Sequence, residues 1–392
     1  MNGLKVLISP LSWGFGHAGR MIPLARALQR RGCEVVFAAD ADLLRMTGNE
    51  LPGINMVEIP GLKIRYSRFL PQYACIFLQL PRIIASALRD HRLLRRLVTE
   101  IRPSVIISDN RFGFWHKDIF SVYVTHQVRI AFPVFLGWLE PVAELVHRII
   151  INRYNLCLVP DYPGETNLSG RLSHGGRIPD NVFYLGPLSR FAETLTDSAG
   201  ETWRESVESS DDQAGVAHQP VSTGCDRPVD SIPLPGKYAC LILSGPEPQR
   251  SILLEKVTAA LGTIPLAVLT ATPVKFHCGP EVQFITAPST ATMRMVISGA
   301  SLVVARAGYT SVMELASLRS GAVLIPTPGQ TEQEYLGRHL DGRYGFVTMK
   351  QDMLEKLGEI AGVSHNADHK ALPDPDPLLE KAITLLLENN KE

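Results

Sequence analysis

Short apolar segments alternate with helical patterns along most of the chain, and this alternation constrains its fold more than any other feature. In the first half the segments are LKVLI (4–8), EVVFAA (34–39), SVIISD (104–109), SVYVTHQ (121–127), LCLVPD (156–161) and VFYLG (182–186). They lack the alternation of apolar and polar residues that half-exposed strands show, so strands buried on both faces are expected. The pattern predicts an α/β domain with a parallel sheet covered by helices on both sides.

A polar segment interrupts this alternation, which then resumes. Residues 192–232 contain nine acidic residues and two arginines, and such a composition is typical of a linker or a disordered insertion. Beyond it, YACLILS, LAVLT, VQFIT, SLVVAR and AVLIP again alternate with helical patterns. We therefore expect two Rossmann-like domains, residues 1–190 and 235–392, joined by an acidic segment at 191–234. Loops at the carboxyl ends of their strands should face a cleft between the domains.

Composition and charge exclude several classes of protein. The 392 residues are 45% hydrophobic and 20% charged, as in an ordinary globular protein. The six cysteines lack the spacing of a metal site or a disulfide framework. The N-terminus lacks a signal-peptide pattern, and no run reaches the ~18 apolar residues of a membrane span, so we expect a cytoplasmic protein. Residues 1–190 contain 23 Lys and Arg against 14 Asp and Glu, which indicates an anionic partner or a solvated basic face.

The glycine-rich loop SWGFGHAGR, residues 12–20, follows the first strand and matches G-x-G-x-x-G. In a Rossmann unit this motif cradles a dinucleotide, and Asp40 lies about 20 residues beyond it, where such a unit has its ribose ligand. Two features weaken this interpretation. Five residues separate the strand from the first glycine, and His17 stands where bare backbone would face a pyrophosphate. We therefore favour a loop that brings a histidine to the cleft over a dinucleotide site.

Two polar motifs follow neighbouring strands of the second half. In RAGYTSVME, residues 306–314, Thr310 or Ser311 would cap a helix whose free N–H groups suit a diphosphate. Glu314 would face a ribose one turn later. In IPTPGQTEQEYL, residues 325–336, amide and acid side chains suit a polyhydroxylated ligand such as a sugar. An ordinary capped helix and a solvated helix start are the alternatives, and the succession of the two motifs favours a ligand site.

Together these motifs resemble those of the MurG-like nucleotide-sugar glycosyltransferases of GT-B fold. The likeness rests on the glycine loop with its histidine, the Ser-Gly turn in LILSGPEPQR, the RAGYT loop with its glutamate, and PTPGQTEQEY. It covers both predicted domains but not residues 192–232, and it implies that the first domain faces the acceptor and the second binds the nucleotide. The donor-site residues that it implies are Arg190, Ser244, Gly245, Arg306, Gly308, Thr310, Glu314, Gln330, Glu332 and Gln333.

The resemblance also implies a role for most of these residues. Gly308 and Thr310 would contact the donor diphosphate, and Glu314 would hold the ribose. Gln333, with Glu332 and Glu334, would bind the sugar hydroxyls. Arg190 matches a hinge arginine. The turn at Ser244 and Gly245 resembles the family's Gly-Gly-Ser turn beside the phosphates, although Pro246 and Pro248 depart from its glycine richness.

Glycosyl transfer needs a base for the acceptor hydroxyl and a group that stabilises the departing diphosphate. His17 is the best base, because an imidazole titrates near neutrality. Asp109, at the end of SVIISD, would orient it, by likeness to other inverting GT-B enzymes. The helix start at 308–311 would meet the leaving-group charge, so we expect no metal and no other cofactor. Asp40 and Asp42 match the D-x-D metal motif, but they close a first-domain strand and we interpret them as a helix cap and a surface acid.

The acceptor and the cellular partners are the least constrained. Gly16, Asn110 and His126 follow first-domain strands, so we expect them on the acceptor side of the cleft. The basic and apolar stretch at residues 63–97 would suit an anionic membrane that carries a lipid-linked acceptor, whereas a core-facing helical pair with a solvated basic face is the favoured alternative.

The predicted function is transfer of a hexose or N-acetylhexosamine from a nucleotide sugar, most of all a UDP-sugar, to a hydroxyl of a glycan or lipid-linked acceptor. We expect a cytoplasmic protein, with the inner face of the cytoplasmic membrane as its place if the stretch at 63–97 contacts lipid. We expect inversion of the anomeric centre and no nucleic-acid partner. A nucleotide-sugar 2-epimerase is one alternative, and a catalytically inactive nucleotide-sugar-binding protein is another.

Overall fold

A computed structural model describes residues 3–65, 67, 70–191, 236–360 and 372–389, and these residues form two α/β domains, each built on a parallel sheet. The first sheet has the strand order β3-β2-β1-β4-β5-β6-β7. Its strands are β1 (Lys5–Pro10), β2 (Glu34–Ala39), β3 (Asn55–Glu58), β4 (Val105–Asp109), β5 (Phe120–Val124), β6 (Leu156–Val159) and β7 (Val182–Tyr184). Its helices are α1 (Phe15–Arg30), α2 (Ala41–Glu50), α3 (Gln72–Leu78), α4 (Leu80–Ile101) and α5 (Glu140–Ile151).

The second sheet has six strands in the order β10-β9-β8-β11-β12-β13. The strands are β8 (Ala239–Leu243), β9 (Leu266–Thr270), β10 (Val282–Thr286), β11 (Leu302–Arg306), β12 (Ala322–Ile325) and β13 (Phe346–Thr348). The helices that follow β8 are α6 (Gln249–Leu261), α7 (Thr290–Gly299), α8 (Tyr309–Ser317), α9 (Thr331–Leu340), α10 (Leu357–Ile360) and α11 (Asp376–Glu388). The predicted pair of Rossmann-like sheets is confirmed.

Strand order explains where the functional loops lie. In the first sheet β1 sits between β2 and β4, and in the second β8 sits between β9 and β11. The connections after β1 and β4, and those after β8 and β11, run to opposite sides of their sheet. Such a reversal opens a crevice at the carboxyl ends of the two strands. β1 and β4 are almost wholly buried, because helices cover both faces of the sheet. The loops after these central strands therefore become the natural place for a site.

The last helix departs from the predicted division of the chain. The sequence assigned residues 235–392 to the second domain, but Ala382, Ile383 and Leu386 of α11 are buried in the first-domain core with α1 and β7. An apolar helix face has no intrinsic preference for one of two sheets, so the sequence could not assign it. The predicted acidic segment at 191–234 lies, except for Phe191, outside the described residues.

The basic and apolar stretch at 63–97 forms α3 and most of α4, with residues 66, 68 and 69 outside the described part. α4 buries Ile83, Leu94 and Leu97 and exposes its arginines, as the favoured alternative predicts. Ile84 and Leu88 are nevertheless exposed. Within the described part of the chain, no helix combines the length and the hydrophobicity needed to cross a membrane.

Candidate active site

The candidate active site lies where loops of the two domains meet. Thr310 Oγ1, at the start of α8, donates a hydrogen bond to Gly16 O at 3.3 Å. Thr331 Oγ1, at the start of α9, donates to Ala131 O at 2.7 Å. A Cβ atom at Gly16 would stand only 2.8 Å from Thr310 Oγ1, so glycine permits this close approach. The predicted cleft is closed at these points.

His17 and Asp109, the predicted catalytic pair, lie together on the first-domain side. His17 is the third residue of α1, and Asp109 is the last residue of β4. His17 Nδ1 stands 2.9 Å from Asp109 Oδ2, and the carboxylate is completely buried. Their meeting follows from the pairing of β1 with β4, which aligns the ends of the two strands. The catalytic roles of both residues stay predictions.

Arg20 is the member of this cluster that the sequence reasoning missed. Its Nε lies 3.1 and 3.0 Å from the two Asp109 oxygens, and its Nη2 also bonds to Asp109 Oδ1. Its Nη1 lies 2.9 Å from His126 Nδ1. Arg20 is one helical turn after His17 on a buried helix face, and that spacing was the available signal. The buried carboxylate therefore has a bidentate counterion, which a buried charge requires.

Charge and burial set the protonation states of the pair. Burial by itself would raise the pKa of Asp109, but Arg20 and His17 outweigh it and hold that pKa below its ordinary value. Burial lowers the pKa of His17 and outweighs the opposite influence of Asp109. At neutral pH the carboxylate is therefore charged and the imidazole neutral. His17 Nδ1 lies 2.9 Å from both Asp109 Oδ2 and Arg20 Nη2. A catalytic base requires the tautomer whose Nδ1 proton is donated to the charged Asp109, because that tautomer leaves the Nε2 lone pair available.

The two predicted acceptor-side residues in the neighbouring loops are both held by protein groups. Asn110, in the left-handed region at φ 55°, accepts a hydrogen bond from Tyr123 Oη at 3.0 Å. His126 has Arg20 at Nδ1 and Glu332 Oε1 at Nε2, the second at 2.8 Å. Both ring nitrogens of His126 are thus bonded to protein groups. In this arrangement neither nitrogen is available to an acceptor sugar, and the acceptor-side role of His126 stays a prediction.

The RAGYT loop begins α8 with unprotected backbone. Gly308 is the N-cap residue and no side chain caps the helix. The expectation that Thr310 or Ser311 caps it is wrong, because the N-cap residue is Gly308, two residues before Thr310, and the Thr310 hydroxyl bonds to Gly16 O. Among the described residues, the first N–H groups of α8 therefore have no side-chain cap. Such a helix start attracts anions.

Glu314, the predicted ribose ligand, is paired with Arg190, the predicted hinge arginine. Arg190 Nε donates to Glu314 Oε1 at 2.7 Å, and both side chains are buried. Burial by itself would lower the pKa of Arg190, but Glu314 outweighs it and raises that pKa. In this arrangement one carboxylate oxygen of Glu314 is used within the protein. Its contact with a ribose stays a prediction.

Arg306 is a buried cation without a carboxylate partner among the described residues. Its side chain is 1% exposed, and its nitrogens contact the carbonyl oxygens of Gln249 at 2.7 Å, Ile325 at 3.4 Å and Pro326 at 3.5 Å. Burial lowers its pKa to about 10. The guanidinium therefore remains charged at neutral pH, two residues before Gly308. An uncompensated buried charge favours a nearby anion.

The polar start of α9 mostly supports its own turn. Gln333 Oε1 accepts from Thr327 N at 2.9 Å, and Glu334 Oε1 accepts from Gly329 N at 2.8 Å. Gln330 is the N-cap residue but makes no side-chain cap. The Gln333 amide nitrogen faces Gly308, 3.7 Å from where a Cβ would stand. This nitrogen is the part of the predicted sugar-binding set that borders the diphosphate loop.

The turn after β8 completes the second-domain side. Ser244 and Gly245 lie beside the end of β11, since β8 and β11 are neighbours in the sheet. Gly245 has φ +98°, a conformation that favours glycine. Arg306 connects this turn to the RAGYT loop through its bond to Gln249 O. Contact of Ser244 with phosphate stays a prediction.

The D-x-D match has a structural explanation. Asp40 Oδ1 accepts from Leu43 N at 3.2 Å and caps α2, and Asp42 pairs with Lys63 Nζ at 3.0 Å. Both interpretations made from the sequence are confirmed. In the part of the chain that the structure describes, no cluster of His, Cys, Asp and Glu has the arrangement of a metal site.

Comparison with known sequences finds one matching domain and one partly matching protein. Residues 267–354 match the glycosyltransferase family 28 C-terminal domain. The UDP-N-acetylglucosamine--N-acetylmuramyl-(pentapeptide) pyrophosphoryl-undecaprenol N-acetylglucosamine transferase of Granulibacter bethesdensis is 26% identical over 167 residues, which are 36% of this chain and 43% of that protein. The chain thus aligns with less than half the length of this curated relative.

Solved structures support the fold over both domains. The spinosyn rhamnosyltransferase SpnG is 15% identical, with a TM-score of 0.59 and coverage of 97% of this chain and 100% of that one. The glycotransferase of kitacinnamycin is 17% identical, with a TM-score of 0.55 and coverage of 100% of both chains. At such identities the likeness shows the fold alone. The chain therefore has the GT-B fold of these glycosyltransferases over both domains, and residues 267–354 of its second domain match the glycosyltransferase family 28 C-terminal domain.

Proposed function

We propose that the chain is a glycosyltransferase that moves a hexose or an N-acetylhexosamine from a nucleotide sugar, a UDP-sugar above all, to a hydroxyl group. The observation that carries this proposal is the pair of partly buried His17 and buried Asp109, next to Gly16, whose carbonyl oxygen contacts the uncapped start of α8. A base and a helix start that attracts anions are the two groups that metal-independent transfer needs. The family 28 domain supports the same class of reaction.

The proposed reaction is a single displacement that inverts the anomeric carbon. His17 Nε2 takes the proton of the acceptor hydroxyl while the hydroxyl oxygen bonds to the anomeric carbon. The bond from that carbon to the diphosphate oxygen breaks at the same time. Asp109, kept ionised by Arg20, stabilises the imidazolium that forms. The diphosphate leaves with its electron pair toward the N–H groups of α8, near the charge of Arg306, and neither a metal nor another cofactor is needed.

In the proposed donor site, Gly308 and Thr310 bind the diphosphate and Glu314 the ribose. The Thr310 hydroxyl and one Glu314 oxygen now contact the first domain. Donor binding therefore requires the two domains to separate there and close again over the nucleotide. A UDP-sugar donor is favoured because the curated relative that aligns with part of this chain is named for one.

An exposed apolar face on the first domain supports a lipid-linked acceptor. The face joins α3 and the start of α4 to a 3₁₀ helix (Val134–Leu139) and α5, since the rings of Tyr73 and Phe135 are 5.9 Å apart. It consists of Phe77, Leu78, Leu80, Ile84, Leu88, Phe135, Trp138, Val142, Leu145, Val146 and Ile149. Patches of this kind mark interaction surfaces. Arg82, Arg89 and Arg92 of α4 are also exposed, so we propose that the face binds an anionic membrane.

Vesicle sedimentation tests the membrane contact. We expect binding to vesicles that contain an anionic phospholipid, weaker binding to zwitterionic ones, and loss of binding in Phe77→Ser/Trp138→Ser, whose side chains are 70% and 72% exposed. Met295→Ser is the matched control, because Met295 is 59% exposed on the second domain. Equal vesicle binding by the double variant and the wild type would refute the contact.

Thermal unfolding with a panel of UDP, UDP-sugars, GDP, TDP and NAD, with and without magnesium, tests the donor site. A ligand at ~100 times its Kd adds ~2.7 kcal/mol to the free energy of unfolding. We expect stabilisation by UDP without magnesium, lost in Glu314→Ala, with Glu314→Gln as the variant of equal size. Stabilisation by NAD alone would instead make SWGFGHAGR a dinucleotide site.

Product analysis separates the alternatives that share a nucleotide-sugar site. A 2-epimerase would convert a UDP-sugar to its epimer without any acceptor, which NMR of the sugar ring detects directly. An inactive binding protein would be stabilised by the nucleotide sugar yet give no transfer with any acceptor hydroxyl. Transfer that is lost in His17→Ala, while UDP binding survives, would exclude both.

A further inference from the structure

One hydrogen bond joins the buried charge cluster of the first domain to the start of α9 in the second. His126 Nε2 stands 2.8 Å from Glu332 Oε1. His126 is buried and Glu332 is mostly buried. Because the two residues belong to different domains, this bond exists only while the domains are closed.

The partners of His126 fix its tautomer. Its Nδ1 lies 2.9 Å from Arg20 Nη1. A guanidinium can only donate, so Nδ1 must accept through its lone pair. The ring proton is therefore on Nε2, where it is donated to Glu332.

Packing fixes the orientation of the ring. The His126 ring stacks on Tyr309, with centroids 4.4 Å apart and planes 4° from parallel. Tyr309 is the first residue of α8, beside the diphosphate loop, and its hydroxyl donates to Pro160 O at 2.9 Å. The ring is thus held by Arg20 on its own domain and by Tyr309 on the other. An imidazole with a fixed orientation also fixes the position of the carboxylate to which it is bonded.

Glu332 remains a charged acceptor in this environment. Burial by itself would raise its pKa, but His126 and, more weakly, Arg20 outweigh burial and hold that pKa below the ordinary value. His126 engages Oε1, so Oε2 can accept hydrogen bonds from a ligand. A fixed, ionised carboxylate with one oxygen that no described residue engages suits a sugar hydroxyl pair.

We propose that His126 is a positioning residue that aligns Glu332 with the donor sugar, so that sugar recognition is complete only in the closed arrangement of the domains. This inference rests on the proposed function. It changes the expected place of His126, from the acceptor side to the donor sugar by way of Glu332. It also predicts that the nucleotide part of the donor binds without this residue.

Isothermal titration with UDP and with UDP-hexoses and UDP-N-acetylhexosamines tests the alignment. We expect the wild type to bind one UDP-sugar more tightly than UDP. In His126→Ala that preference should fall about tenfold, as expected for a lost hydrogen bond to a charged group, while the Kd for UDP stays within about twofold. In His126→Gln the preference should persist, because the amide oxygen can accept from Arg20 while the amide nitrogen donates to Glu332.

Three results would overturn the alignment. The preference for the sugar could survive in His126→Ala, the Kd for UDP could weaken as much as that for the UDP-sugar, or His126→Gln could behave like His126→Ala. The last two would assign His126 a packing role. A wild type that binds none of these ligands would instead refute the proposed donor, and a measurement without ligand then decides the interdomain bond.

That measurement is a double-mutant cycle on thermal unfolding with His126→Ala, Glu332→Ala and the double variant. We expect the two single changes to be non-additive, since residues that share a buried hydrogen bond couple. Additive effects would mean that the bond between His126 and Glu332 does not form in solution, and the positioning role would fall with it.

Discussion

The two sides of the cleft use the same architecture for opposite electrostatic purposes. In both domains the loops leave neighbouring central strands of a parallel sheet. On the first-domain side, Arg20 and Asp109 are buried as a bidentate pair, so the charges offset each other. On the second-domain side, Arg306 is equally buried but contacts only carbonyl oxygens among the described residues.

This contrast indicates which side receives a charged ligand. A cluster whose charges are already paired gains little from an added anion, and it serves better to hold a neutral base such as His17 in one orientation. An unpaired guanidinium beside an uncapped helix start gains much from a diphosphate. The two sheets have the same architecture, so the fold does not show which domain holds the base and which the anion. That difference depends on the residues that directly follow the strands.

The largest expected effect is on catalysis at the paired side. His17→Ala should lower the rate of transfer by ~10²–10⁴-fold, because it removes the proposed general base. The Kd for UDP should stay unchanged, since the proposed nucleotide site lies on the other side. His277→Ala is the control, an exposed histidine of the second domain. Transfer that persists at the wild-type rate in His17→Ala would remove this residue from the mechanism.

The next largest effect is on the free energy of unfolding, and it tests the buried pair of Arg20 and Asp109. Arg20→Met leaves the Asp109 carboxylate buried without its bidentate partner, which should cost ~3–5 kcal/mol in free energy of unfolding. Arg45→Met, at an exposed arginine with a single distant acid partner, should change it by less than about 0.5 kcal/mol. Urea denaturation of both variants measures the difference. A small loss in Arg20→Met would show that the charges are not mutually dependent.

On the second-domain side, loss of the buried arginine should affect stability less and ligand binding more. Arg306→Met leaves no carboxylate unpaired, only carbonyl oxygens, so we expect a smaller loss of ~1–3 kcal/mol in free energy of unfolding. Its Kd for UDP should rise about tenfold, which corresponds to ~1.4 kcal/mol. Arg306→Lys, which keeps the charge, should retain part of the affinity. An unchanged Kd for UDP in Arg306→Met would separate this cation from the donor site.

The sequence predicted best what depends on complete burial. Strands such as β1, β4 and β8, buried on both faces, leave apolar runs that need no context to recognise. The edge strands β3 and β13 were missed because they are short and β3 is largely exposed, so their residues are not uniformly apolar. The meeting of His17 with Asp109 was also predictable, because parallel neighbours end at the same edge.

What escaped prediction depends on contacts between distant segments. The local sequence around Arg20 is the same whether its side chain is exposed to solvent or paired with the Asp109 carboxylate. The sequence therefore did not identify Arg20 as part of the cluster. The pairing of Arg190 with Glu314 and of His126 with Glu332 requires the two domains to close. No local pattern encodes closure. The sequence could therefore nominate Glu314 and Glu332 as ligands but could not show their protein partners.

The smallest expected effect is on the pH dependence of transfer, which tests whether His17 is a neutral base. The pKa of His17 is lowered from 6.5 by burial, so kcat/KM for transfer should be constant near neutrality and fall about tenfold per pH unit only below its folded pKa. Between that pKa and 6.5 the unfolded chain binds the proton and the folded protein does not, so stability also declines as the pH falls through this window. Asp109→Asn removes the charge that opposes the shift, and NMR titration of the ring should show a still lower pKa of His17. A pKa of His17 at or above 6.5 in the wild type would contradict the neutral buried base on which the comparison of the two sides depends.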